Sequence, residues 1–350
     1  MNTSFGIVCP QGWRRELSNI KPSDRYDAIR QTAITAEKLG FDSLWLYDHF
    51  ITFPPRPEPC FECWTTLAAL ASETRNVRLG SLVTCSSYRH PSLIAKMTAT
   101  LDNISRGRLE FGIGAGWYWL EFSGYGIAFQ PLNRRIRMLE EAIQIIKKLW
   151  IEERSTFKGE YYQIKNAICE PKPVQKPHPP IWIGGSSNSV LRLVAKYGNG
   201  CNLELKPSAC ERKLKTLDKL CKEIGREPSE IQKSLHAVVI VGEDDNEVQK
   251  RAIRFFKTSR LSLKEKLDVA LKDPKKVLSY VRKRIISSSL GYIIGSPDEC
   301  AKQLIEFKDV GITRFMLYIV DAFELEPLRL FSKKVVPPII KSLSTSVSYE

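Results

Sequence analysis

The sequence of 350 residues predicts a (β/α)8 barrel with an insertion before the last strand. Short apolar segments alternate with helical patterns along the chain, which favours a parallel sheet. Eight such segments are present, and their apolar residues are nearly continuous, as is typical of strands buried on both faces. Eight units favour a closed barrel over an open sheet, and the length suits a barrel of roughly 250 residues with insertions.

The eight strands are predicted where short apolar runs end in polar or glycine-containing segments. The fourth, for example, begins at Arg108 and runs into the glycines that follow Phe111. The predicted strands are residues 4–9, 43–47, 77–84, 108–113, 181–183, 200–204, 234–241 and 313–319.

The helices between the strands show capping residues and a helical spacing of apolar side chains. Asp24 is placed to cap the first helix and Gly40 to end it, while Pro91 suits a first helical position. The predicted helices are residues 24–39, 62–75, 91–104, 131–151, 188–197, 208–224, 298–309 and 323–341, and a short β-like excursion spans 156–168.

The segment 244–290 is too long for one crossover between the seventh and eighth strands. We therefore interpret it as the insertion, and we expect residues 1–350 to form a single barrel domain. The charges in this segment are typical of a solvated helical face.

Composition narrows the possible classes of protein. The chain has a net charge of +14 and no nucleic-acid recognition motif, so we expect no nucleic-acid partner; the charge would also attract an anionic small ligand. No run of 18 apolar residues predicts a membrane span, and the N-terminus lacks the pattern of a secretory signal. Nine scattered cysteines, an odd number, indicate reduced thiols and a cytoplasmic protein.

Cysteine and histidine do not predict a metal site. Cys60 and Cys63 form a C-x-x-C pair without a second pair, so we interpret them as unrelated thiols and leave a redox pair open. Of the four histidines, His49 and His90 follow the second and third strands. We place His178 and His236 at the opposite end of the barrel, which leaves too few ligands on one rim.

The segment RLEFGIGAGWYWLEF contains three alternating glycines, Gly112, Gly114 and Gly116. A dinucleotide-binding loop needs G-x-G-x-x-G leading directly into a helix. Here the spacing is G-x-G-x-G, bulky residues follow, and the next helix is predicted only near Pro131. The loop therefore does not predict a nicotinamide dinucleotide.

In a barrel, the carboxyl ends of the strands carry the chemistry. His49 follows the second strand beside Asp48, and histidine titrates near neutral pH. At the end of the fifth strand, glycine would allow close backbone approach to a ligand, and the next helix begins with an N-terminus suited to a phosphate. This predicted phosphate-binding turn is Gly184, Gly185, Ser186 and Ser187.

Six segments resemble, in order, the bacterial luciferase-like superfamily of flavin- and deazaflavin-dependent barrel oxidoreductases. They are residues 37–50, 76–96, 104–129, 157–164, 179–202 and 293–319, and so cover nearly the whole chain. The resemblance implies a planar tricyclic ring at the strand ends, a phosphate near the fifth strand, a small-molecule substrate and a homodimer, although the sequence itself does not indicate an oligomeric state.

The resemblance also implies roles for individual residues. His49 would exchange a proton with the substrate oxygen during hydride transfer. A non-prolyl cis peptide is expected just before Thr84, at Ser81 and Leu82. The implied cofactor contacts are Asp48, Ser81, Leu82, Thr84, Ala115, Gly116, Gly184, Gly185, Ser186 and Ser187, and the implied substrate pocket includes Trp117 and Glu121.

One position departs from the sugar-phosphate dehydrogenases of this family, which carry a glutamate where this chain has Trp117. A sugar-phosphate substrate is therefore not implied. The pair Asp48–His49 favours coenzyme F420 and hydride transfer. Alternatives are a reduced-FMN-dependent monooxygenase of alkanal or alkanesulfonate type, a non-catalytic flavin-binding barrel and, last, a nucleic-acid binder.

Overall fold

A closed barrel of eight parallel strands forms the centre of the protein, as predicted. A computed structural model describes residues 3–258 and 291–341. The strands are β1 Ser4–Val8, β2 Ser43–Leu46, β3 Arg78–Ser81, β4 Thr84–Cys85, β5 Leu109–Gly114, β6 Ser155–Lys158, β7 Gln163–Ala167, β8 Ile181–Gly184, β9 Gly200–Leu203, β10 Gln232–Val241, β11 Tyr292–Gly295 and β12 Arg314–Ile319.

The barrel follows the order β1-β2-β3-β5-β8-β9-β10-β12 and closes where β12 pairs with β1. Two short strands, β6 and β7, form a separate antiparallel hairpin where the β-like excursion was predicted. The third predicted strand is divided: β3 ends at Ser81, and β4 resumes pairing with β5 at Thr84. This interruption creates a bulge on the carboxyl rim of the barrel.

An additional strand, β11, was not predicted. It pairs in parallel with the second half of β10, whose first half pairs with β9. The sequence YIIG is too short to distinguish a strand from a helical segment by periodicity. The predicted insertion begins with a helix, Asp245–Thr258, and residues 259–290 lie outside the described part of the chain.

Most predicted helices are present within a few residues of their expected bounds. A short helix, α4, was missed because bulky aromatic residues obscured it. The helices are α1 Arg25–Lys38, α2 Cys63–Glu73, α3 Pro91–Ile104, α4 Trp119–Gly124, α5 Leu132–Ile151, α6 Asn188–Tyr197, α7 Pro207–Glu223, α8 Asp245–Thr258, α9 Pro297–Asp309, α10 Glu326–Leu330 and α11 Val336–Lys341, with a π-helical turn at Phe331–Val335. No helix in these ranges is long and apolar enough to cross a membrane.

Two fully buried tryptophans fill the barrel interior. The rings of Trp45 and Trp182 meet edge to face with centroids 6.1 Å apart. Glycine is required opposite each ring, because a Cβ at Gly80 would lie 2.3 Å from Trp45 and one at Gly200 would lie 2.2 Å from Trp182. Trp182 also hydrogen bonds to the buried Glu110. This filling leaves the carboxyl rim as the place for a site.

Candidate active site

The rim brings together the ends of β2 and β5. His49 lies three residues after β2, and Glu121 lies on α4, which follows the glycines of β5. His49 Nδ1 is 2.8 Å from Glu121 Oε2. Within the described residues, Nδ1 is the ring nitrogen of His49 that hydrogen bonds to a protein group.

Glu121, predicted to line the substrate pocket, is instead fully buried behind His49. Its Oε2 accepts hydrogen bonds from His49 and from the Tyr88 hydroxyl at 2.6 Å. Its Oε1 accepts from the backbone N–H groups of Phe50 at 2.6 Å and Ile51 at 3.1 Å. Four donors therefore hold one carboxylate, which positions His49 and the chain that follows it.

The Glu121 carboxylate is stabilised in its charged form. Burial alone would raise the pKa of Glu121, but the hydrogen bonds and charge of His49, with the hydrogen bonds from Tyr88 and Ile51, outweigh burial and lower that pKa. An ionised carboxylate can only accept hydrogen bonds, so His49 Nδ1 must carry the proton. Neutral His49 then has an unprotonated Nε2, which is the tautomer that a general base needs.

Aromatic rings enclose His49. Its imidazole stacks on Trp13, with centroids 4.5 Å apart and an angle of 6° between the planes. The ring centroids of Trp117 and Tyr118 each lie 5.8 Å from that of His49, with an angle of 75° between the planes. These rings restrict rotation of the imidazole, and Glu121 fixes its Nδ1 atom. The sequence did not identify Trp13 as part of the site.

Asp48 is held by protein groups rather than facing an open surface. Its side chain is buried, and its two oxygens form a paired contact with Arg89 at 2.8 and 3.0 Å. The backbone N–H of Cys85 also donates to it at 2.9 Å. Burial raises the pKa of Asp48, and Arg89 opposes that rise. Asp48 therefore connects the β2 rim to the β4 rim, and a direct cofactor contact is not what this arrangement favours.

The expected non-prolyl cis peptide is present but one bond later than expected, between Leu82 and Val83. It lies in the bulge, because pairing with β5 stops at Gly80 and resumes at Thr84. Ser81 Oγ donates to the Gly112 carbonyl at 2.9 Å and accepts from Thr84 Oγ1 at 2.8 Å. Both hydroxyl side chains are fully buried, and their hydrogen bonds hold the bulge together.

The bulge explains why glycines alternate at the end of β5. A Cβ at Gly112 would lie 1.9 Å from the Ser81 carbonyl oxygen. A Cβ at Gly114 would lie 2.8 Å, and one at Gly184 2.9 Å, from a Val83 methyl group. These glycines make room for the bulge, and Val83 is partly exposed on the rim above them.

Gly116 turns the chain from β5 toward α4. Its φ of +74° lies in the left-handed region, and a Cβ there would lie 2.5 Å from Cys85 Sγ. Arg135 hydrogen bonds to the carbonyl oxygens of Ala115 and Gly116, which fixes the turn from behind. The turn places Trp117 beside His49, and the residue is 55% exposed.

The predicted phosphate-binding turn lies at the start of α6. Gly185 has a φ of +126°, and Ser187 caps the helix by accepting a hydrogen bond from Val190 N at 3.3 Å. Gly185 and Ser187 are exposed, while Gly184 and Ser186 are partly exposed. A helix N-terminus in this position is suited to an anion.

The hydrogen-bonded pair of His236 and Tyr47 was not predicted. His236, placed at the opposite end by sequence reasoning, instead reaches the rim side, because β10 begins two residues earlier than predicted and is long. Its Nε2 is 2.8 Å from the Tyr47 hydroxyl, and its Nδ1 is 3.4 Å from Glu204. The sequence offered one indication of this pair. Tyr47 ends the second predicted strand, directly before Asp48, and so was a candidate for the site.

The cysteines and the possible metal ligands are the remaining candidates for a site. Burial raises the pKa values of both Cys60 and Cys63, which makes them unreactive thiols. All nine cysteines are free. Residues 3–258 and 291–341 contain no cluster of three or more possible metal ligands.

Comparison with known proteins identifies the family. The family model described as luciferase-like monooxygenase matches residues 3–314. The chain belongs to the luciferase-like monooxygenase family. The family predicted from the six sequence segments is thereby confirmed.

Luciferase-like relatives differ in the cofactor that their names state. An F420-dependent glucose-6-phosphate dehydrogenase of Microbacterium testaceum is 27% identical over 336 residues, which is 94% of this chain and 97% of the relative. The oxygenase component of a flavin-dependent trigonelline monooxygenase of Acinetobacter baylyi is 24% identical, over 92% of this chain and 91% of the relative. Both are oxidoreductases.

The fold is also found among solved structures. An F420-dependent secondary alcohol dehydrogenase in complex with an F420–acetone adduct superposes with a TM-score of 0.76 at 24% identity. The match covers 97% of this chain and 99% of that chain. This similarity confirms the predicted (β/α)8 barrel.

Proposed function

We propose that this luciferase-like chain is a coenzyme F420-dependent oxidoreductase that transfers a hydride between the deazaflavin and a small organic substrate. The observation that carries the proposal is the contact between His49 and the buried Glu121. It supplies a correctly oriented base on the rim where barrel enzymes carry their chemistry.

The protein's part in the reaction is to move one proton. In an alcohol, oxidation removes a hydride from carbon and a proton from the hydroxyl group. His49 Nε2 accepts that proton, and the ionised Glu121 stabilises the resulting imidazolium through Nδ1. In the reverse direction, the imidazolium donates the proton to a carbonyl oxygen.

The rim fits a planar cofactor with a phosphate. The hydroxyls of Ser86 and Ser87 are buried, and neither has a hydrogen-bond partner within the described ranges, which fits a polar ligand at the end of β4. Leu82, Ala115 and Gly116 would border the ring. Coenzyme F420, when bound, supplies a ring carbon that accepts or donates hydride. The turn from Gly184 to Ser187 would hold its phosphate.

Two further features support the same cofactor and setting. The net charge of +14 would attract an anionic cofactor, and several relatives carry F420 in their names. Free thiols support a cytoplasmic location, and the family resemblance supports a homodimer. The proposal treats residues 1–350 as one luciferase-like barrel with its insertion at about 244–290.

The test is anaerobic turnover of the cofactor-loaded protein with a panel of alcohols, comparing wild type with His49→Asn. We expect the variant to retain cofactor binding and to lose at least about 100-fold in kcat, as is typical for removal of a general base. Normal turnover with an unchanged pH profile would exclude His49 from the mechanism.

A matched control is His90→Asn. His90 also follows a rim strand, but it is exposed and caps α3 through its Nδ1, a role that asparagine retains. Its turnover should equal that of the wild type. An equal loss in both variants would indicate general damage to the rim rather than loss of the base.

A further inference from the structure

The exposed aromatic surface of the protein is concentrated in one segment. Among the described residues, four aromatic residues are about half exposed, and all lie between residues 117 and 129. Solitary exposed apolar side chains are ordinary, but a cluster at a site mouth marks a binding surface. The four are Trp117, Trp119, Tyr125 and Phe129.

Of these four, Trp117 contacts the proposed catalytic histidine, His49. Its ring centroid lies 5.8 Å from that of His49 and 5.7 Å from that of Phe53, and it stacks on Tyr118 at 5.1 Å. We name Trp117, Phe53 and Tyr118 the aromatic wall. Tyr125 packs instead on Phe50, with ring centroids 4.6 Å apart.

The segment that carries Trp117 and Tyr118 contains no cation for a phosphate. Residues 117–129 contain no lysine or arginine. Their one carboxylate, Glu121, is fully buried and engaged by four donors, so it contributes no charge at the surface. A phosphorylated substrate is recognised by charge-assisted hydrogen bonds, which this segment does not provide.

We propose that the aromatic wall selects substrates with a flat apolar body next to the reacting carbon, such as aryl alcohols or aryl ketones. This inference rests on the proposed function and deepens it. A substrate oxygen at His49 Nε2 would place the adjoining carbon skeleton near Trp117. An aromatic ring there would be partly removed from water and could stack or meet Trp117 edge to face.

The experiment compares two secondary alcohols, 1-phenylethanol and 2-propanol, with the F420-loaded protein under anaerobic conditions. Burial of the phenyl ring predicts a kcat/KM for 1-phenylethanol higher by about tenfold or more. Trp117→Ala should reduce this ratio at least about fivefold, mainly through KM. Trp117→Phe should retain most of the preference, which a merely structural role would not explain.

Trp119→Ala is the matched control. Trp119 is 56% exposed, almost the same as Trp117, and its ring makes no close contact with His49. Its substrate ratio should remain that of the wild type. An unchanged ratio in active Trp117→Ala, or a wild-type preference for 2-propanol, would overturn the inference.

Binding separates this inference from the proposed function. Equilibrium dialysis of acetophenone and acetone against the loaded wild-type protein and Trp117→Ala measures the wall without turnover. Selective, Trp117-dependent binding of acetophenone without alcohol oxidation would support the wall and contradict the function. Oxidation of 2-propanol without binding of acetophenone would support the proposed function and contradict the role of the aromatic wall.

Discussion

Replacement of Glu121 by glutamine tests how the site controls the histidine. The side chain keeps its size, but one acceptor oxygen becomes an NH2 group. Each carboxylate oxygen of Glu121 accepts hydrogen bonds from two donors. The amide nitrogen of glutamine therefore faces two former donors in either orientation of the amide. If it faces His49, it donates to Nδ1 and moves the ring proton to Nε2. The base is then lost.

The magnitude follows from the hydrogen bond that is removed. A hydrogen bond to a charged group contributes about 1.5–3 kcal/mol, and the His49–Glu121 bond is stronger in the imidazolium state than in the neutral state. If glutamine removes an imidazolium stabilisation of this size, kcat should decrease by about 10- to 150-fold. The buried amide should also lower the free energy of unfolding by about 1–3 kcal/mol.

The assay is anaerobic single-turnover reduction of the bound deazaflavin, measured well below the melting temperature of each variant. Tyr88→Phe is the control, because it removes another donor to Oε2 and leaves the His49 tautomer unchanged. We expect Tyr88→Phe to change the rate by less than about threefold. A Glu121→Gln rate within about twofold of wild type would refute the reasoning.

Two other predictions concern stability. Gly112→Ala should lower the free energy of unfolding by about 2–4 kcal/mol in urea titrations, because the new Cβ would lie 1.9 Å from the Ser81 carbonyl oxygen. Gly124→Ala, with no heavy atom within 4 Å of the new Cβ, should change it by less than about 1 kcal/mol; equal stabilities would contradict the packing of the bulge. Burial raises the pKa of Asp321 from 3.8 to about 6, against the opposing charge of Arg254. The folded state therefore binds this proton more tightly than the unfolded state. The free energy of unfolding should fall as the pH rises across that interval. Asp321→Asn should flatten the melting temperature between about pH 4 and about pH 7, and parallel curves for the two proteins would count against this source of pH dependence.

The barrel was predictable because its strands and helices are indicated by patterns of neighbouring residues in the sequence. Alternating apolar strands and amphipathic helices are visible along the chain, and the rule that strand ends carry chemistry then places His49 and the Gly184 turn on one rim. The family resemblance named the same positions. Trp117 was also expected near the site, and the structure places its ring beside His49.

The contacts within the site were not predictable, because they depend on distances between segments far apart in the sequence. Glu121 reaches His49 across 72 positions, and only the short helix α4 turns it inward. His236 was misplaced because β10 begins earlier and runs longer than its apolar residues indicate, which puts His236 in mid-strand. The glycine spacing reflects Val83 and the bulge, which a single sequence does not show.

The most direct test of the central claim is an anaerobic titration of the wild-type protein with coenzyme F420, oxidised FMN and reduced FMN, followed by absorbance and fluorescence. The account predicts tight binding of the deazaflavin, weaker binding of both forms of FMN, and reduction of the bound deazaflavin on addition of an alcohol. Tight binding of reduced FMN alone, with an oxygen-adduct absorbance when air is admitted, would contradict it and identify a monooxygenase.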